Sequence, residues 1–278
     1  METLGLIAGS GRFPVLVAQE ARRAGLAVVA LGLEGVTDVP ALEAVVGRVP
    51  LYKLGQLEKP LAAFKAAGVS KAVMAGKVQH VSLFGGVLPD LRSARLLARL
   101  RDKRTDTILK AVADEFAKEG IELLSSVGYL GHLLVGRGVQ TARKPSGGEL
   151  ADARLGWRAA KALAAVDVGQ TVVCGDGAVV SLEGMEGTDA CVRRSGELAR
   201  SQGRRSPLTV VKVAKPKQDP RFDIPVLGLD SLAVFAEAGV TSLALEADST
   251  LIFDKPEFLK RADAQGLAIA GYPAEGPQ

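Results

Sequence analysis

Cysteine, histidine and aromatic residues are all scarce in this 278-residue chain, and each scarcity closes off a chemistry. The two cysteines, Cys174 and Cys191, form no CxxC pair and have no nearby histidine. That argues against a zinc site and against a disulfide framework. They read as small core residues in a reducing compartment. His80 and His132 stand apart with no metal-ligand spacing, and both read as structural. Aromatic residues make up 4% of the chain, too few for platforms that stack nucleic-acid bases, so no nucleic-acid partner is expected. No window reaches 18 uncharged apolar residues, so no bilayer-spanning helix is expected. The first residues carry neither a basic n-region nor a long apolar run, which reads as no signal peptide and predicts a cytoplasmic protein.

What is present is a globular composition, 47% hydrophobic and 24% charged, in a chain long enough for two ordinary domains. The net charge of +4 suits anionic small molecules or an anionic membrane surface. It is unevenly spread. Residues 1–139 hold 18 Lys and Arg against 13 Asp and Glu, whereas residues 140–278 hold 17 against 18.

The first half alternates short apolar runs with amphipathic stretches. Strands are expected over Leu4–Ala8, Leu26–Leu31, Ala72–Ala75 and Ile121–Ser125, with a further one closing at Leu51 and Tyr52. Helices are expected over Pro14–Ala24, Leu57–Ala67, Leu91–Arg104 and Thr105–Glu119. This alternation predicts βαβ units and a Rossmann-like parallel sheet covered on both faces. Around Arg137–Gly148 the composition turns to Gly, Arg, Lys, Pro and Ser, which places a boundary between an N-terminal domain at 1–139 and a C-terminal domain at 140–278. The second half opens with a helix at Glu149–Ala165. Two apolar runs then flank Gly175-Asp176-Gly177, a hairpin signal. Further elements are a helix after Glu186, the strand Leu208–Val213, the helix Asp230–Ala238, the strand Thr241–Leu245 and the helix Pro256–Ala264. The fold class is α/β with two domains, the second a mixed α/β catalytic domain.

Four segments carry candidate chemistry. Gly9-Ser10-Gly11 follows a strand and precedes a helix, where backbone N–H groups and the helix dipole favour an anion. Pro14 stands where a dinucleotide fingerprint wants glycine or alanine, so a standard NAD site is not expected, although Glu34 lies near where a ribose-binding acid could sit. Lys77 follows the strand ending at Ala75, and the carboxyl-end rule for open α/β sheets places it near Ser10. The plain alternative is a solvated loop lysine. Arg92, Arg95 and Arg99 form a basic stripe that suits either anionic lipid or an ordinary surface helix. Glu183, Glu186, Thr188 and Asp189 crowd oxygen ligands at the start of a helix, where they suit a hard cation or simple capping. Arg193 and Arg194, just beyond, suit either pairing with Asp189 or a phosphate.

The most informative stretch is Lys212–Pro225, which packs four cations and two carboxylates among three prolines. Proline fixes φ and donates no hydrogen bond, so the run is a shaped loop. Lys212 and Lys215 suit phosphate oxygens, while Asp219 and Asp223 suit a metal or an attacking water. The residues by themselves point to a phosphate-containing substrate with a metal.

Taken together, Asp167–Val173, Glu186–Asp189, Val211–Pro216 and Gln218-Asp219 with Arg221–Pro225 resemble the LpxI-type family of UDP-2,3-diacylglucosamine pyrophosphatases. Gly5–Gly11 with Pro14, and Ala75–Val78, are similar to its N-terminal half. The likeness spans nearly the whole chain in the same motif order. It implies a Mg²⁺-dependent cytoplasmic hydrolase of lipid A biosynthesis, peripheral to the inner membrane of a Gram-negative-type bacterium. The implied reaction cleaves UDP-2,3-diacylglucosamine, a lipid-linked nucleotide sugar, to UMP and 2,3-diacylglucosamine 1-phosphate (lipid X), with attack at the glucosamine-side phosphorus. The family binds substrate between two domains and has one essential aspartate in the second; Asp223 is the best match and Asp219 the next. Lys217, Pro220 and Ser10 depart from the family pattern.

The combined expectation is specific. Asp223, with Asp189 or Asp219, holds Mg²⁺; Lys212 and Lys215, helped by Arg221, neutralise charge at phosphorus. Gly9, Ser10, Gly11, Lys77, Thr188, Arg193, Gln218 and Arg221 contact substrate. A homodimer is compatible with the sequence. Two alternatives stand beside this one, a Rossmann-type oxidoreductase and a non-catalytic nucleotide-sugar-binding protein.

Overall fold

A computed structural model describes residues 2–78, 89–100, 105–201, 203, 207–215, 219, 221 and 224–278. The chain divides into two compact units. One comprises Met1–Leu130 with Asp219–Asp223, the other Gly131–Gln218 with Ile224–Gln278.

The first unit runs β1 (Thr3–Ala8), α1 (Phe13–Arg23), β2 (Ala27–Leu33), α2 (Val39–Val46), β3 (Leu51–Tyr52), α3 (Glu58–Ala66), β4 (Lys71–Ala75), α4 (Leu91–Arg99), α5 (Thr105–Lys118) and β5 (Glu122–Leu124). The strands pair in parallel in the order β3-β2-β1-β4-β5. The Rossmann-like parallel sheet expected from the alternation is therefore present. Chain direction across the sheet reverses between β1 and β4, the kind of switch point at which open α/β sheets collect ligands. Leu4, Leu6 and Ala8 of β1 are buried, as are Leu16, Val17, Ala18 and Ala21 on the inward stripe of α1. Phe64 of α3 meets Phe116 of α5 edge to face at 6.2 Å, anchoring a core with Leu61, Ala72, Ile121 and Leu123.

Helix α2 went unpredicted although it carries a start signal. Asp38 accepts from the Ala41 N–H, and Pro40 sits in the first turn. Helix α4 is shorter than the expected Leu91–Arg104. It ends at Arg99, where Leu100 turns extended with ψ 133°, and residues 101–104 lie outside the described residues.

The second unit contains β6 (Gly138–Val139), α6 (Gly147–Ala165), β7 (Thr171–Gly175), β8 (Ala178–Leu182), α7 (Thr188–Ser201), β9 (Leu208–Lys212), β10 (Val226–Leu227), α8 (Leu229–Ala238), β11 (Val240–Glu246), β12 (Leu251–Ile252), α9 (Lys255–Ala264) and β13 (Ala268–Tyr272). Its main sheet has the order β6-β13-β11-β9-β7-β8. The central β9, β11 and β13 are parallel, whereas β6, β7 and β8 join antiparallel. The Gly-Asp-Gly signal does form a hairpin. Asp176 and Gly177 both have positive φ (53° and 73°), as a two-residue turn matching strand twist requires. One face of the sheet packs Trp157, Ala160 and Ala164 of α6 against Val172, Cys174 and Val211. Another cluster gathers Cys191, Leu232, Phe235, Phe258 and Leu243. Helix α6 starts where Ser146 and Glu149 form a reciprocal capping box. Gly138 and Val139, read from composition as the end of the first domain, pair with β13 of this sheet.

Candidate active site

At the switch point of the first unit, the turn after β1 and the turn after β4 are bonded to each other. Gly9 N–H donates to the Ala75 carbonyl at 2.8 Å, and Ser10 and Lys77 exchange backbone hydrogen bonds at 2.9 and 3.1 Å. Ser10 Oγ also donates to the Lys77 carbonyl at 2.8 Å. The approach is so close that a Cβ on Gly76 (φ 94°) would lie 2.7 Å from the Ser10 carbonyl oxygen. Ser10 and Lys77 thus meet, as the carboxyl-end rule predicts. The N–H groups of Gly9 and Ser10 are spent on this bridge, however. What the turn presents outward is the exposed Gly11 backbone, at φ 85°, and the exposed Lys77 side chain.

The second unit builds a different constellation at the carboxyl end of β9. Lys212 is 3% exposed, and a buried ammonium needs partners to offset lost hydration. Its Nζ donates to Thr188 Oγ1 at 2.6 Å and to Thr171 Oγ1 at 3.3 Å. Thr188 passes a hydrogen bond on to Glu183 Oε1 at 2.9 Å, and the other Glu183 oxygen accepts from Gln170 N–H at 3.1 Å. A cation and an anion are thereby joined through a hydroxyl in a buried network. Gly169 makes this possible, because a Cβ there would lie 2.1 Å from the Glu183 carbonyl oxygen.

Three bonds then fix the start of the loop after Lys212. Val213 N–H donates to the Gln170 carbonyl at 3.0 Å. Ala214 N–H donates to Glu246 Oε2 at 2.7 Å, and Lys161 Nζ holds the same oxygen at 2.7 Å. Lys215 Nζ pairs with Asp167 Oδ1 at 2.5 Å. Glu246 and Lys161 were not singled out from sequence, while Asp167 and Thr171 entered only as members of the motif Asp167–Val173, with no role of their own. Glu246 did carry a signal, as an acid at the carboxyl end of an apolar strand.

The remaining candidates divide. Thr188 and Asp189 open α7, and Asp189 Oδ1 accepts from Ser231 Oγ at 3.2 Å. Glu186 is held by Arg194 at 2.6 Å, and hydrogen bonds from its own backbone N–H and from that guanidinium keep its carboxyl below the usual range. Arg193 is exposed on α7. In the first unit, Arg221 grips Asp219 through Nε at 2.9 and 3.0 Å and through a second nitrogen at 2.6 Å. That grip, opposed by burial and aided by Lys110, holds the Asp219 carboxyl low. Asp223, Gln218 and His80 lie outside the described residues. Arg92 of the basic stripe is bound by Glu115 at 2.9 Å and Glu119 at 2.7 Å, so this arginine serves an ion-pair cluster. Among the described residues, no group of three or more His, Cys, Asp or Glu side chains comes together to hold a metal.

The family model for the LpxI N-terminal domain matches residues 3–133, and that for the LpxI C-terminal domain matches residues 136–270. The chain belongs to the LpxI family. It is also 32% identical, over 284 aligned positions covering all of both chains, to the UDP-2,3-diacylglucosamine pyrophosphatase LpxI of Caulobacter vibrioides. The two LpxI segments meet at 133/136, close to the division of the structure after Leu130. Among the described residues of this LpxI-family chain, no helix is long and apolar enough to cross a membrane.

Proposed function

We propose that this LpxI-family protein hydrolyses the diphosphate of UDP-2,3-diacylglucosamine to UMP and 2,3-diacylglucosamine 1-phosphate (lipid X), a step of lipid A biosynthesis. The observation that carries this reading is the match to both LpxI domains, in order, with 32% identity along the full length of a relative bearing that activity in its name. In the reaction a water oxygen bonds to one phosphorus and the bridging P–O bond breaks, leaving its electron pair on the departing phosphate. The two water protons end on the two phosphate monoesters, one on each, and pass to solvent as these ionise. Negative charge builds on the phosphoryl oxygens as this happens.

Lys212 suits that charge. Its ammonium is held by Thr171 and Thr188 at the carboxyl end of β9, and the fixed position supports the role proposed for it. Removing such fixed stabilisation commonly costs about 10²–10³ in rate. Lys215 is a second cation, and its pairing with the exposed Asp167 is of the weak kind, roughly 0–1 kcal/mol, that a phosphate can displace. Thr188, Arg193, Gln218 and Arg221 complete the proposed diphosphate and sugar contacts, and Gly11 and Lys77 are the proposed nucleotide contacts, since the Gly9 and Ser10 N–H groups are bonded within the turn. Asp223 is the proposed essential acid and Asp219 the alternate.

Mg²⁺ is the proposed cofactor, which when bound supplies positive charge at the diphosphate and acidifies water. The described residues do not make up its ligand set by themselves, since Asp219 is committed to Arg221 and Asp189 accepts from Ser231. The cytoplasmic face of the inner membrane is the proposed place of action.

The test is direct. The purified protein is incubated with UDP-2,3-diacylglucosamine in Mg²⁺, with an EDTA arm, and UMP is followed. UMP in the Mg²⁺ arm alone supports both the reaction and the metal. UMP in both arms removes the metal, and UMP in neither removes the reaction. Asp223→Ala should abolish turnover with substrate binding retained; near-normal turnover reassigns the acid.

A further inference from the structure

Glu183 follows β8 directly and is only 7% exposed. Its backbone is fixed, since its N–H donates to the Thr171 carbonyl at 2.9 Å. Both carboxylate oxygens accept from this chain, one from the Thr188 hydroxyl and the other from the Gln170 N–H. The direction of these bonds follows from chemistry. An ammonium only donates and a carboxylate only accepts, so a hydroxyl lying between them has one consistent orientation. Thr188 takes a hydrogen bond from Lys212 Nζ at 2.6 Å and gives its own proton to Glu183 at 2.9 Å. The lone pair that Thr188 turns toward Lys212 is therefore aimed by Glu183.

We propose that Glu183 is a positioning residue for the hydrolysis, acting through Thr188 to hold the Lys212 ammonium in place. The inference rests on the function proposed above, in which Lys212 meets the charge that builds at phosphorus. A hydroxyl that donates to a carboxylate is polarised and becomes a stronger acceptor, so the anion at the far end of the chain of bonds tightens the near end. Glutamine is the informative replacement. It keeps the shape of glutamate but has one acceptor oxygen in place of two, so Glu183→Gln leaves either the Gln170 N–H or the Thr188 hydroxyl facing an amide N–H. Both sites are shielded from water, where an orphaned donor is costly. Whichever is orphaned, the bonds that end at Lys212 lose their anionic anchor.

The experiment measures steady-state UMP release by full-length protein carrying Glu183→Gln alone, beside Thr188→Ser and beside Thr188→Val. Alone, Glu183→Gln should lower kcat about tenfold with KM changed less than about twofold. The loss should persist beside Thr188→Ser, which keeps a hydroxyl, and vanish beside Thr188→Val, which removes it. Equal losses in all three backgrounds, or a wild-type kcat in Glu183→Gln, overturn the proposal. A second readout needs no turnover. In protein isotopically labelled at lysine Nζ, the Lys212 ammonium, assigned by its absence in Lys212→Arg, should give a slowly exchanging resonance that weakens at least about fivefold in Glu183→Gln. An unchanged resonance overturns the proposal even where kcat falls. Should Glu183→Gln not fold, Thr188→Val carries the same spectroscopic test with the same two outcomes. Wild-type protein that releases no UMP removes the reaction, and the resonance then decides by itself whether Glu183 sets Lys212.

Discussion

Glu246 has one carboxylate oxygen shared between the Lys161 ammonium and the Ala214 N–H, and it touches no residue expected to meet substrate. Its effect on chemistry should run through the backbone between Lys212 and Lys215. Glu246→Gln keeps the shape but removes the charge that draws both donors. The expected result is a kcat lowered about tenfold with KM little changed, since charge-assisted bonds are roughly twice as strong as neutral ones. A variant whose kcat matches wild type but whose thermal stability falls would reduce Glu246 to a purely structural role. Gly169 belongs to the same neighbourhood but acts by absence. Gly169→Ala would push a methyl into the Glu183 carbonyl, so a stability loss of about 1–3 kcal/mol is expected in urea melts, with Lys212 misplaced as a side effect. The sequence exposed part of this. Lys212, Thr188 and Lys215 were legible as charged or hydroxyl groups beside prolines and glycines. Lys161 and Glu246 were not, and Asp167 stood only as the first residue of a motif, because their roles depend on which strand ends lie together, and only the β11-β9-β7 order brings them to one place.

The secondary elements were largely visible, since apolar runs and helix periodicity are local properties. The hairpin at Asp176-Gly177 and the strong helices α5 and α6 fall close to their expected bounds. What escaped notice were helix α2, the five-residue strand β13, and β6, β10 and β12, the last three each two residues long and defined by a partner strand more than by their own composition. Helix α6 also yields a pH prediction. Burial opposes ionisation of Glu149, but bonds from Arg143, Thr241 and Ser146 overcome it and hold its carboxyl at about 2 against an ordinary 4.5. A depressed folded pKa contributes stability that is complete above the ordinary value and lost as pH falls. Denaturation should therefore steepen between pH 4.5 and about 2, with about 3 kcal/mol at stake. Glu149→Gln should be less stable at neutral pH and decline more shallowly over that window. An identical acid profile would show that the Arg143 pair carries no such linkage.

At the scale of the whole chain, two unlike α/β units each have their own core, and the composition change near residue 140 announced that there were two. The thiols can report on one of them. Cys174 and Cys191 both lie in the second unit and are fully buried. Burial, with Asp152 nearby, pushes the Cys174 thiol up to about 12, and burial raises Cys191 as well. Neither should react with a thiol reagent at pH 8 in native protein, and both should react once the second unit opens. Fast labelling of folded protein would contradict that burial. Asp219 and Arg221 group with Met1–Leu130 although the chain has by then run through Gly131–Gln218, so a polypeptide severed after Leu130 would carry both residues away on the fragment that bears the second unit.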